Sequence, residues 1–422
     1  MKLAVAVVAT SLAGCTLLTD SFVTNDFSGD LYPIRVETTS GAVVVGLREP
    51  GVVTDRIAVL DVLSPITLVD PGLEVSPSVT TADLTVLGLG AGGLLDLPRA
   101  QLSEARVLAL HPCDPPPDAP SDPTCLVGPS TSPRAYDAIV GADALAGDAI
   151  RLRLGDDQVF VLADIAGGEQ ERGLACDAVF PSPYRGGGTL VIAETELAFA
   201  GRRVTMQTCL GADPSPELSQ SQRGVDALML LSTGIGTSLL GESAYARYRL
   251  VRATAPPLDQ LPEGTVFMPS GPVTGRIATI DRMALVARSS STPRAPCRHV
   301  YAHHFLLDRD CTPEDEDCPC EGAAFCPIPA IVEITPAAGL DVLVIPDDNP
   351  TLQALRTELR PDQQEVDGIL GTNALRSAEI DIDYPHDRVL ARCTSTECVT
   401  RRAMAERADR AAVAECITAG PL

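Results

Sequence analysis

Two short segments end an apolar run at a tight turn and place a polar side chain there. Residues 66–72 read ITLVDPG and residues 228–236 read LMLLSTGIG. A carboxylate such as Asp70 can act as a general acid or base, whereas the hydroxyl of Ser232 forms hydrogen bonds but does not titrate near neutral pH. Gly72 and Gly234 close the two turns, where glycine adopts backbone conformations that other residues resist. Brought together, these turns would hold one titratable group and one hydroxyl.

A second pair of segments indicates an internal repeat. Residues 137–145 read DAIVGADAL, residues 367–375 read DGILGTNAL, and each runs into a strand of alternating apolar residues. In each copy an apolar pair precedes a glycine, Gly141 or Gly371. Because each copy follows one of the two turns, we expect two related units, each with an apolar strand beneath its turn.

These elements resemble the lobe signature of the aspartic peptidases, in which an apolar strand leads into Asp-Thr/Ser-Gly and an apolar-apolar-Gly strand later crosses beneath the catalytic loop. The resemblance covers about residues 31–393. It implies an all-β, bilobal, pepsin-like acid-protease fold with a Cys-rich insertion in the second lobe and a short C-terminal helix. It puts Asp70 and Ser232 at the catalytic positions. The supporting loops would contain Gly72, Gly141, Thr233, Gly234 and Gly371.

Three departures from that signature predict a protein without peptidase activity. Ser232 stands where the second catalytic Asp is expected, Pro71 replaces the hydroxyl residue that ties the two loops together, and residues 71–135 contain no aromatic residue for the flap. Aspartic peptidases need two carboxylates that share one proton, which a serine cannot provide. We therefore expect a peptide or protein ligand to bind between the lobes without being cleaved.

Two alternatives remain open. In the first, the chain is an active endopeptidase of the cell envelope whose second carboxylate is Asp226, Asp281 or Asp367. In the second, it is a structural surface protein without an open cleft.

Charge and composition exclude other classes of partner. The 422 residues include 56 Asp and Glu against 32 Lys and Arg, a formal net charge of −24. Nucleic acids and anionic lipid surfaces require a basic footprint, so neither is expected as a partner. No cofactor and no metal are expected. The Cys/His-rich residues 297–326 contain zinc-type ligands, but cysteines in an exported protein are more commonly oxidised.

The N-terminus predicts export. Residues 1–15 read MKLAVAVVATSLAGC, in which a basic residue precedes an apolar run too short to span a bilayer. The run ends in Leu-Ala-Gly-Cys, which resembles the bacterial lipobox, whose Cys is lipidated. The resemblance implies an envelope lipoprotein held to a membrane only by acyl chains on Cys15, and Thr16 favours the outer membrane over the inner one.

Cysteine number and spacing complete the predicted organisation. If Cys15 carries lipid, 12 of the 13 cysteines remain for disulfides, and Cys113 with Cys125 and Cys176 with Cys209 are candidate pairs. The predicted divisions are a signal peptide (1–14), a tether (15–30), an N-terminal lobe (31–210), a C-terminal lobe with the Cys-rich insertion (211–393) and a helical appendage (394–422).

Overall fold

The computed structural model describes most of the residues that the repeat comprises. The described ranges are 41–69, 78–89, 95–109, 111–113, 125–127, 136–145, 149–162, 178–181, 185–192, 195–211, 224–268, 271–286, 331–335, 338–359, 365–386, 388–393 and 399–400.

The first unit is a closed barrel made mainly of short strands rich in Val, Ile, Leu and Thr, residues that suit a pleated, half-buried surface. Its elements, with two small strands outside the barrel and one short helix, are β1 (Val44–Arg48), β2 (Arg56–Leu60), β3 (Thr67–Val69), β4 (Ser78–Leu89), β5 (Leu95–Ala109), β6 (His111–Cys113), β7 (Cys125–Val127), β8 (Ala138–Val140) and α1 (Ala142–Leu145). The strands follow one another around the barrel in the order β1-β2-β8-β3-β5-β4.

The connecting segment contributes strands to a sheet that both units share. This segment comprises β9 (Ala149–Arg153), a 3-10 turn (Leu154–Asp156), β10 (Gln158–Leu162), β11 (Ala178–Pro181), and a separate hairpin of β12 (Arg185–Ile192) and β13 (Thr195–Arg203).

The second unit is built on a ten-stranded sheet. Its elements are β14 (Thr205–Leu210), β15 (Val225–Leu231), β16 (Ser238–Gly241), α2 (Glu242–Val251), a 3-10 turn (Leu258–Gln260), β17 (Glu263–Met268), β18 (Gly271–Ile280), β19 (Met283–Val286), β20 (Ile331–Glu333), β21 (Leu340–Ile345), α3 (Pro350–Leu359), β22 (Val366–Leu370), α4 (Thr372–Leu375), β23 (Ala378–Asp383), a 3-10 turn (Tyr384–His386), β24 (Arg388–Cys393) and β25 (Val399–Thr400). All of these strands except β23 and β24 lie in the ten-stranded sheet, and those two join the shared sheet in the order β10-β9-β23-β24-β11.

Strand pairing relates the two units. β2 pairs in parallel with β8, and β15 pairs in parallel with β22. On its other side β8 pairs antiparallel with β3, and β22 likewise with β16. The repeated strand therefore crosses between two neighbours in the same way in each unit. A continuous apolar core runs through both units. The prediction of an all-β chain with two related lobes is confirmed.

Three smaller features qualify the predicted organisation. β14 pairs with β15 and β19 in the second unit's sheet, although the predicted division put it in the first lobe. Two residues of the predicted helical appendage form β25, which pairs with β20, and the rest of that appendage lies outside the described residues. In the described part of the chain, no helix is both long and apolar enough to cross a bilayer.

Candidate functional site

The turns that follow β2 and β15 meet at the boundary between the two units and bring Asp61 against Ser232. The Ser232 hydroxyl donates to Asp61 Oδ1 over 2.9 Å. The same oxygen accepts the backbone N–H of Leu63 at 3.0 Å and that of Gly234 at 3.1 Å. Asp61 is 4% exposed and Ser232 is fully buried. One carboxylate and one hydroxyl therefore form a buried pair that spans the two units.

The environment of Asp61 favours its neutral form. Burial raises the pKa of the Asp61 carboxyl above its usual range, and the hydrogen bonds from Leu63, Ser232 and Gly234 together with the charge of Arg203 only partly offset that effect. Desolvation penalises a charged carboxylate because water no longer stabilises it. All three hydrogen bonds converge on Oδ1, and Oδ2 accepts none from the described residues.

Thr233 ties the two turns together from one side only. Its hydroxyl donates to the carbonyl oxygen of Leu60 at 2.6 Å and accepts the N–H of Val62 at 3.1 Å. Val62 occupies the matching position of the first unit, one residue after Asp61, and has no hydroxyl with which to return the contact. Gly234 follows Thr233, and a Cβ on Gly234 would lie 2.5 Å from Asp61 Oδ2, so the close approach of the turns requires glycine there.

The strand beneath each turn is fixed by a matching set of contacts. In the first unit the Thr67 hydroxyl accepts the N–H of Gly141 at 3.1 Å and donates to Asp143 at 2.8 Å. In the second unit the Ser238 hydroxyl accepts the N–H of Gly371 at 3.0 Å and donates to Asn373 at 2.8 Å. Gly141 and Gly371 thus lie in equivalent supporting loops.

This register explains why Asp61 faces Ser232. The sequence alignment matched the ITLVD segment to the strand before Ser232, but β3 pairs with β8 as β16 pairs with β22, so β3 is the counterpart of β16. The counterpart of β15 is β2, which Asp61 follows directly. Asp70 and Gly72 lie outside the described residues.

Each of the three carboxylates considered for an active enzyme contacts or faces residues other than Ser232. Asp367 accepts hydrogen bonds from Arg247 at 2.7 Å and from the N–H of Leu228 at 3.1 Å. Asp281 pairs with Arg252 at 2.9 Å and accepts the Tyr248 hydroxyl at 2.7 Å. Asp226 is buried in β15, where its Cα faces that of Cys209.

The predicted cysteine sites are only partly described. Cys209 is disulfide-bonded, and Cys176, its predicted partner, lies outside the described residues. β6 and β7 bring Cys113 and Cys125 into neighbouring strands, but the register pairs Cys113 with Val127 and Cys125 with His111. Cys15 and residues 297–326 lie outside the described ranges, and within those ranges no three His, Cys, Asp or Glu side chains converge as a metal site.

Asp61 and Arg203 are not among the site residues predicted from the sequence. Asp61 could have been found by aligning residues 60–69 (LDVLSPITLV) with residues 231–240 (LSTGIGTSLL) without a gap. This alignment matches Asp61 with Ser232 and Thr67 with Ser238, the two hydroxyl residues that anchor the supporting loops. Arg203 has no sequence signal, because its contacts join segments that lie far apart in the chain.

Comparisons with known proteins concern the fold alone. No protein-family model matches the chain, and no curated protein matches its sequence. Among solved structures, the chain is similar to an aspartic proteinase from Irpex lacteus, with 12% identity, a TM-score of 0.37, and coverage of 84% of this chain and 94% of that one. It is also similar to basic 7S globulin from soybean, with 11% identity, a TM-score of 0.40, and coverage of 86% and 94%.

Proposed function

We propose that this chain is an aspartic-peptidase-like envelope lipoprotein that binds an extended peptide or protein segment between its two units without cleaving it. The observation that carries the proposal is the hydrogen bond from Ser232 to Asp61. The position that would need a second carboxylate holds a hydroxyl. General acid–base catalysis contributes about 10²–10⁴ to a rate, so the loss of one partner removes most of the activity.

Two further features support binding without cleavage. Val62 and Leu63 occupy the positions of Thr233 and Gly234 in the first unit, so the Asp61 turn lacks the reciprocal hydroxyl contact. The hairpin of β4 and β5 contains no aromatic residue in its described strands. An extended segment that binds beside sheet edges gains affinity from main-chain hydrogen bonds, which do not depend on an acid pair.

The decisive experiment restores the missing carboxylate. Purified wild type, Asp61→Asn, Ser232→Asp and the double variant Ser232→Asp/Asp61→Asn are incubated with a denatured protein mixture from pH 3 to 7. We expect cleavage only by Ser232→Asp, because only that variant has two carboxylates at the pair. Cleavage by wild type that disappears in Asp61→Asn would refute the proposal and support the active endopeptidase.

Binding is tested separately with a pool of unstructured, fluorescently labelled peptides. We expect wild type and Asp61→Asn to retain the same subset of the pool, because main-chain hydrogen bonds do not depend on the acid pair. Retention of no peptide by either protein would favour a structural role without an open cleft.

The membrane anchor has its own test. In a bacterial host that processes lipoproteins, labelled fatty acid should enter wild type and be absent from Cys15→Ala. Incorporation that survives in Cys15→Ala would refute lipidation at that residue.

A further inference from the structure

We propose that Arg203, held by Glu358, is the positioning residue that fixes the turn carrying Asp61 and supplies the positive charge facing it. This inference rests on the proposed function, since it assigns a role within the same site. Arg203 ends β13, Glu358 lies on α3 of the second unit, and Leu63 belongs to the Asp61 turn of the first. The side chain therefore joins three separate parts of the chain.

The contacts of Arg203 are directional and largely buried. One terminal nitrogen donates to the carbonyl oxygen of Leu63, two residues after Asp61. The Nε atom donates to Glu358 Oε1 at 2.9 Å, and the other terminal nitrogen donates to Glu358 Oε2. This two-point contact with a carboxylate fixes the orientation of a guanidinium group. Arg203 is only 9% exposed, so solvent screens its charge weakly.

Arg203 replaces a contact that the repeat makes elsewhere. The N–H of Val43, in the first unit, donates to the carbonyl oxygen of Thr233 in the second at 2.7 Å and thereby holds the Ser232 turn. The carbonyl of Val43 accepts the N–H of Leu60, which precedes Asp61, and the carbonyl of Val204 accepts the N–H of Leu231, which precedes Ser232. Val204 is therefore the repeat counterpart of Val43. Among the described residues, Val204 donates no corresponding bond to the Asp61 turn. The adjacent Arg203 side chain makes the connection instead.

The same turn lacks the reciprocal hydroxyl, since Val62 stands opposite Thr233. Arg203 is therefore the side chain that holds the carbonyl of the Asp61 turn, and its charge acts on Asp61 itself. The buried Tyr384, on the turn after β23, also interacts with the Asp61 charge.

The test follows the titration of Asp61 itself and requires no ligand. Full-length soluble protein is labelled with ¹³C at aspartate carboxyls, and the Asp61 signal is assigned by its absence from Asp61→Asn. In Arg203→Met we expect the titration midpoint of Asp61 to rise by about one pH unit, the size typical of removing a nearby opposite charge. Arg203→Lys keeps the charge but not the two-point geometry, so a smaller rise is expected.

Arg276→Met is the matched control, because Arg276 also donates to a backbone carbonyl, that of Leu261, and pairs with Glu263, away from the site. In Arg276→Met the titration midpoint of Asp61 should equal that of wild type. An unchanged midpoint in Arg203→Met, with or without a loss of thermal stability, would overturn the proposal. If Arg203→Met does not fold, Arg203→Gln, which keeps hydrogen-bond donors but not the charge, decides by the same criterion. Failure of the peptide-binding assay would leave this titration result intact, so the two proposals fail separately.

Discussion

Removal of the Thr233 hydroxyl tests whether the two turns are tied together by that group. In Thr233→Val the Leu60 carbonyl and the Val62 N–H each lose the partner that the hydroxyl provides, at 2.6 and 3.1 Å. A buried polar group left without a partner costs about 1–3 kcal/mol, with carbonyls near the lower end. Since valine fills nearly the same volume, we expect a loss of about 2–4 kcal/mol of unfolding free energy.

Thr208→Val provides the matched control. Thr208 is also fully buried, but its hydroxyl has a single described contact, a donation to the Ala227 carbonyl at 3.0 Å. We expect that substitution to cost about 1 kcal/mol. Urea denaturation of both variants, compared at an unchanged slope, measures the difference. Thr233→Ser retains the hydroxyl and should recover most of the stability.

Equal losses in Thr233→Val and Thr208→Val would refute the reasoning, because the second hydrogen bond would then contribute nothing. A Thr233→Ser variant as unstable as Thr233→Val would also refute it, since retaining the hydroxyl would then preserve none of the stability.

Three further predictions concern strain, a buried ion pair and pH. Arg202 has a left-handed φ of 45°, and its repeat counterpart Gly41 has a φ of 70°. Because glycine adopts this conformation without strain, Arg202→Gly should raise the unfolding free energy by up to about 1 kcal/mol. Thermal denaturation measures the change, and a loss of stability would contradict this prediction. Arg247→Met leaves the buried Asp367 without its arginine and should cost about 2–4 kcal/mol in urea, with a cost below 1 kcal/mol as the contrary result. Burial raises the pKa of Asp61, so the folded state retains a proton that the unfolded chain has released, and wild-type stability should fall as the pH rises above about 4. Asp61→Asn should be the more stable protein at pH 7, by a margin that shrinks towards pH 3, and a constant margin would contradict the shift.

The sequence predicted the second unit of the site better than the first, and the reason is local. Ser232-Thr233-Gly234 retains the hydroxyl and the glycine that a close turn needs, so its pattern stays recognisable. The first unit has Asp61-Val62-Leu63, which carries neither feature. The nearby Asp70-Pro71-Gly72 matches the pattern in sequence, but Asp, Pro and Gly are also common in turns for their own conformational reasons.

Strand register shows which strand of the first unit leads into the turn of the site, a question that composition left open. The three-residue β3 is apolar like β2, and from apolarity alone either strand can lead into a catalytic-type turn. Only pairing distinguishes them, because β2 lies parallel to β8 and β3 antiparallel to it. The role of Arg203 was equally hidden, since it depends on Leu63 and Glu358, which are distant in sequence. Contacts of this range arise from the folded arrangement and leave no periodic signal.

In the shared sheet, matching positions of the two units carry opposite charges, so the units can differ in sequence and still pair. Arg151 and its counterpart Asp381, the same position of the repeated segment, face each other in the register of β9 and β23 and bond at 3.0 Å. Arg153 bonds to Glu379 beside them. Two identical units would place like charges at these positions, which is unfavourable where Asp381 is fully buried. The charges of the shared sheet therefore favour the pairing of two different units over two identical ones. The unequal pair of Asp61 and Ser232 shows the same difference between the units at the site.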